Sequence, residues 1–153
     1  MLRTEISEAL KSAMKAKDQR ATSTLRLILA ALKDRDIAAR GRSDSDEISD
    51  DEILEMLQKM IRQRHESIEF YKKGGRADLV QEESEEIEII ERFLPEQLDQ
   101  GDMTEAIGAV IAELGVAGIK DMGRTMAALK RIYAGRMDFA KASVIVKQRL
   151  SGG

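Results

Sequence analysis

Residues 93–98 read Phe93-Leu94-Pro95-Glu96-Gln97-Leu98, and Pro95 is the only proline in the chain. A proline ring supplies no backbone N–H and steers the residue before it away from the helical region, so a helix arriving from the N-terminal side has to stop here. Upstream of it the apolar residues recur at long helical spacing. Downstream the helices shorten and glycine becomes more frequent. This stretch therefore predicts two helical domains, residues 1–95 and residues 96–153.

Toward the N-terminus, Leu2, Ile6, Ala9, Leu10, Ala13 and Met14 fall on one face of a first helix. Asp18 is placed to cap a second, with the stripe Ala21, Leu25, Ile28, Leu29 and Leu32, which Gly41 ends. The polar run from Gly41 to Asp50 predicts an exposed loop. Ser49-Asp50-Asp51-Glu52 has the form of a capping box, which starts a third helix carrying Ile53, Leu57, Met60, Ile61, Ile68 and Tyr71. Gly74-Gly75 closes it, and a fourth helix runs through Leu79, Ile87, Ile90 and Leu94. Beyond Pro95, Asp102-Met103-Thr104-Glu105 offers a second capping box, Asp121 a cap for a sixth helix and Asp138 a cap for a seventh. With aromatic residues at 3% there is little to build a β-rich core, so the expected class is all-α: a four-helix bundle followed by three short helices.

Composition limits the chemistry. The chain has 42% hydrophobic residues, enough for a packed core, and no cysteine, which removes disulfides, thiolate metal sites and a Cys nucleophile. No signal-peptide core and no membrane-length apolar run is evident, so a soluble protein of the cytoplasm, without membrane contact, is expected. The single histidine, His65, lies mid-helix beside Arg64 and Glu66, which fits a solvated or core-edge side chain. Glu82, Glu83, Glu85, Glu86 and Glu88 invite a bundle di-metal site, but that pattern needs Glu-x-x-His on two helices and one histidine cannot supply both. Glu83 and Glu86 are expected instead to be structural, either as ion partners for bases such as Arg64 and Arg76 or as part of a solvated face. There is no phosphate-cradling glycine loop. No catalytic residue, metal or cofactor is expected.

Charge is the stronger signal. The chain has net charge −3, yet residues 118–150 hold Lys120, Arg124, Lys130, Arg131, Arg136, Lys141, Lys147 and Arg149 against only Asp121 and Asp138. A segment at +6 is suited to an anionic partner. Residues 1–95 balance it with 21 acids against 17 bases. At about 100° per residue, Lys120, Arg124 and Arg131 fall within about 40° of one another on the sixth helix, opposite Met122, Met126, Leu129 and Tyr133. Such cations suit phosphate contacts, while the exposed aromatics that stack on bases are missing from this module.

Gly118-Ile119-Lys120-Asp121-Met122-Gly123-Arg124-Thr125-Met126 resembles the motif of the GatB/YqeY tail domain, the C-terminal module of the glutamyl/aspartyl-tRNA amidotransferase B subunit. The block Arg26 to Lys33, and the run from Lys59-Met60-Ile61 through Arg76-Ala77-Asp78-Leu79 to Phe93-Leu94-Pro95-Glu96-Gln97-Leu98, resemble the stand-alone YqeY-like family. The resemblance implies a helical bundle with a three-helix tail and a tRNA-binding accessory role without a catalytic core. It carries Lys120, Asp121, Met122, Gly123 and Arg124 as signature positions; Lys130, Arg131, Arg136 and Lys141 join them as nucleic-acid contacts on charge alone. The signature also has a purely architectural reading: Asp121 caps, Met122 packs, and Gly123 admits a neighbouring helix. The expected partner is tRNA or a tRNA-linked enzyme, with a protein partner engaged through the acidic helical domain. A protein–protein adaptor without nucleic-acid contact is the alternative. A carbon–nitrogen ligase using glutamine as amido-N donor follows from the family label alone, since these residues supply no nucleophile, nucleotide site or ammonia source.

Overall fold

A computed structural model of the chain describes residues 1–42, 47–116 and 118–152. Seven α-helices form, with no strand among the described residues: α1 Leu2–Lys15, α2 Gln19–Ala39, α3 Asp50–Lys73, α4 Ala77–Glu91, α5 Gln100–Leu114, α6 Met122–Ile132 and α7 Phe139–Ser151. The all-helical expectation is met. Contacts divide the chain into two compact units, Met1–Leu94 and Pro95–Gly153. Part of the loop expected from Gly41 to Asp50, residues 43–46, lies outside the described residues.

In the first unit the inner faces of the helices meet around Ile6, Leu25, Ile28, Ile53, Leu57 and Ile90. Ser49 caps α3 with the reciprocal Glu52 contact the local pattern predicts. Gly75, at φ 69°, makes the left-handed reversal into α4 that a side chain would resist. Met14, assigned to the buried stripe, is instead half exposed. Helix α4 ends at Glu91 rather than reaching Leu94; Phe93 and Leu94 follow in a turn and still pack on the core. That early stop agrees with the bias Pro95 imposes on its predecessor.

Arginines stitch the unit together. Arg3 on α1 holds both oxygens of Asp36 on α2, at 2.7 and 2.6 Å, and Asp36 also accepts from the Ile48 amide at 2.9 Å, fixing the chain just ahead of α3. Arg64 Nε donates to Glu86 at 2.9 Å and lies 4.0 Å from Glu83, as the sequence predicts. Arg76 departs from expectation: it pairs with Asp78 two residues away, at 3.0 Å, because both side chains flank the start of α4.

The second unit has its own core of Ile107, Val110, Leu129, Met137, Ala142, Val146 and Leu150. Its first helix starts earlier than the expected box at Asp102. Asp99 is the cap, accepting from the Asp102 amide at 2.7 Å, and Met103 is buried inside the helix. Packing decides between two overlapping caps: Met103, Ala106, Ile107 and Val110 form the buried stripe, so the helix has to include Met103 and the turn before it.

Candidate nucleic-acid interface

The signature stretch folds as a 3-10 turn, Ile119–Asp121, running directly into α6. The Asp121 amide donates to the Gly118 carbonyl at 2.9 Å, so helical bonding begins at Gly118. This overturns the capping role given to Asp121. Its backbone, at φ −92° and ψ 5°, is already inside the turn, and its side chain makes no cap bond. Asp138 contrasts with it: the backbone is extended at ψ 99°, and the carboxylate accepts from the Ala140 and Lys141 amides.

Two further expectations at the signature change. Gly123 does not admit a neighbouring helix, since a Cβ built there meets nothing within 4 Å; the residue faces open space. Lys120 sits on the 3-10 turn rather than on α6, so the angle shared with Arg124 and Arg131 on an uninterrupted α-helix does not apply to it. Lys120 is nonetheless exposed. Met122 and Met126 pack against the core, as expected. Sequence reasoning missed Thr125, which is fully buried and donates its hydroxyl to the Asp121 carbonyl at 3.0 Å, tying α6 back to the turn. Its place one turn ahead of Leu129 on the buried face was the available signal.

The cations fall into two groups. Arg124 donates Nη2 to the Leu114 carbonyl at 2.9 Å, closing the last turn of α5. Arg136 donates Nε to the Glu96 carbonyl at 3.1 Å, while its own carbonyl accepts from the Leu98 amide at 2.8 Å. Arg149 lies across α5, where a Cβ at Gly108 would come within 2.7 Å of its Nη1. Arg124 and Arg136 thus make structural hydrogen bonds, while Arg149 lies against α5 with its side chain exposed. Lys120, Lys130, Arg131, Lys141 and Lys147 are exposed, and among the described residues none has a carboxylate at ion-pair distance. The ion pairs of the described residues all lie between residues 3 and 86, within the first unit. Lys130 and Arg131 occupy the last turn of α6, where the helix dipole favours cations.

Both rings of the second unit, Tyr133 and Phe139, pack against its core. No group of acids and histidine among the described residues is arranged to hold a metal ion. No helix of the described residues is long and apolar enough to cross a membrane.

The model of the family described as Yqey-like protein matches residues 3–150. The chain belongs to the YqeY-like family. Among curated proteins this YqeY-like chain is similar to altered inheritance of mitochondria protein 41, mitochondrial, of Lachancea thermotolerans, with 40% identity over 89 residues, 58% of this chain and 46% of the relative. The protein of that name from Saccharomyces cerevisiae is 39% identical over 85 residues, 56% of this chain and 44% of the relative. That from Eremothecium gossypii is 34% identical over 89 residues, 58% and 46% of the two chains. The matched stretch thus spans about half the length of these relatives. Their names are those of mitochondrial proteins, which overturns the cytoplasmic setting expected from the lack of cysteine and of a signal segment. A missing cysteine only permits a reducing compartment and selects none.

Proposed function

We propose that this YqeY-like protein is a tRNA-binding accessory protein, in which the second unit grips phosphates and no catalytic core is carried. The observation behind the proposal is a set of exposed cations, Lys120, Lys130, Arg131 and Lys141, with Lys147 exposed on α7 as well, none with an ion-pair partner among the described residues. Each is a lysine or arginine free of the structural bonds that occupy Arg124 and Arg136. About four neutralised phosphates give a slope near −3 in log affinity against log salt, and the 21 acids against 17 bases of residues 1–95 subtract from the attraction. Affinity should be modest and strongly salt-dependent. The resemblance of the Gly118–Met126 stretch to an amidotransferase tail directs the choice of RNA to tRNA; the setting to search is that of the mitochondrial relatives.

The test is filter binding of tRNA at about 50 and 200 mM salt, a range over which affinity is expected to fall by about 100-fold. A variant with Lys130→Glu, Arg131→Glu and Lys141→Glu should bind at least about tenfold more weakly and with a shallower salt slope. Equal binding by the two proteins would reject the reading and leave the adaptor role, which requires no phosphate contact.

A further inference from the structure

The block Arg26 to Lys33 has an outward side that the RNA reading leaves unused. Its inward residues Leu25, Ile28 and Leu32 are buried in the first unit. On the outer side Leu27 and Ile37 are 48% and 49% exposed, with Ala30 exposed between them. Together with Ser23 and Asp34, these residues follow one another at spacings of four, three, four and three. That rhythm has the spacing of a two-stranded coiled-coil seam, with Leu27, Ala30 and Ile37 as its apolar positions and Ser23 and Asp34 as polar ones, on the face turned away from the core. Arg26 and Lys33, seven residues apart, run along one flank of the seam, exposed and without ion-pair partners among the described residues.

We propose that this outer face of α2 is a docking surface for an acidic amphipathic helix of another protein. Charge selects the occupant. A second copy lying antiparallel would set the Arg26 and Lys33 flanks against each other, and a parallel copy would set Asp34 on Asp34 and the bases against Ala31 and Ala38. Either pairing leaves the cations unmatched, whereas glutamates along the flank of a partner helix meet them. RNA leaves Leu27 and Ile37 facing phosphate with nothing to pack on. The surface lies in the first unit and does not depend on the cations assigned to tRNA.

The probe is a labelled synthetic helix of about four heptads with leucine at its seam positions and glutamate on both flanks, and a matched peptide with lysine flanks. Titrated with the full chain and read by anisotropy, the glutamate peptide is expected to bind and the lysine peptide to fail. Arg26→Glu with Lys33→Glu should weaken the glutamate peptide roughly tenfold or more and let the lysine peptide bind, and Leu27→Glu should weaken both charge pairings. Circular dichroism should be unchanged in both variants, since the substituted side chains are at the surface. Failure of the glutamate peptide to bind, indifference to flank charge, a Leu27-dependent dimer in sedimentation, or loss of tRNA or anionic-vesicle binding on reversing Arg26 and Lys33 would each overturn the proposal.

Discussion

Asp36 receives the two Arg3 nitrogens and the Ile48 amide on a side chain that is 15% exposed. The Arg3 hydrogen bonds, helped by the Ile48 amide and the Arg3 charge, hold this carboxyl below the ordinary range although partial burial opposes them. A group whose folded pKa is depressed contributes stability that is complete above its unfolded value, near 4, and is lost as pH falls through the folded value. Asp36→Asn is therefore expected to cost about 2 kcal/mol at neutral pH. The gap to wild type should close on acidification below about pH 4; urea midpoints measured at neutral pH and near pH 3 check both parts, and a gap that stays constant would contradict them. Glu83 has the opposite sign: burial and the neighbouring Glu86 raise its carboxyl, so its ionisation costs stability as pH rises through the carboxylate range. Neither effect was legible in the sequence. Arg3 and Asp36 are 33 residues apart, and nothing in a one-dimensional pattern pairs them. The Arg64–Glu86 pair was legible because both residues fall beside the apolar stripes of consecutive helices.

Local reading found some helix starts and misjudged another, Asp121, where a 3-10 turn runs into the helix and leaves no place for a cap. Ser49 and Glu52 made a recognisable pair, and so did Asp138 ahead of Phe139. Asp138→Ala removes an acceptor for two amides and is expected to cost about 1 kcal/mol, measured as a lowered thermal midpoint, whereas Asp121→Ala, which breaks no cap bond, should leave it within a few tenths. Where two caps overlap, as at Asp99 and Asp102, the choice belongs to burial of Met103 and needs the rest of the fold. The same limit applies to the candidate interface. Composition identified its cations, but which of them were already committed depended on partners 10 and 40 residues away, Leu114 for Arg124 and Glu96 for Arg136. Gly123 misled because a missing side chain permits close approach without saying whether a neighbour makes one; here none does.

At the scale of the molecule, two cores divide the cooperative structure between Met1–Leu94 and Pro95–Gly153. Leu129→Ala, at a fully buried position, should lower protection from amide exchange by about 3 kcal/mol across the second unit. Protection of α1 to α4 should stay as in wild type, and loss of protection across both units would contradict the division. Charge follows the same partition, with every ion pair of the described residues in the first unit. Immediately after the proline, the Gln97 side chain donates to the Gly135 carbonyl, the Leu98 amide to that of Arg136, and the Arg136 guanidinium to that of Glu96. Those three residues are consequently the opening thread of the tail and not slack between two bodies. Anyone excising the tail must cut ahead of Glu96, because a fragment trimmed to the first turn of α5 would leave the bend between α6 and α7 without its strap.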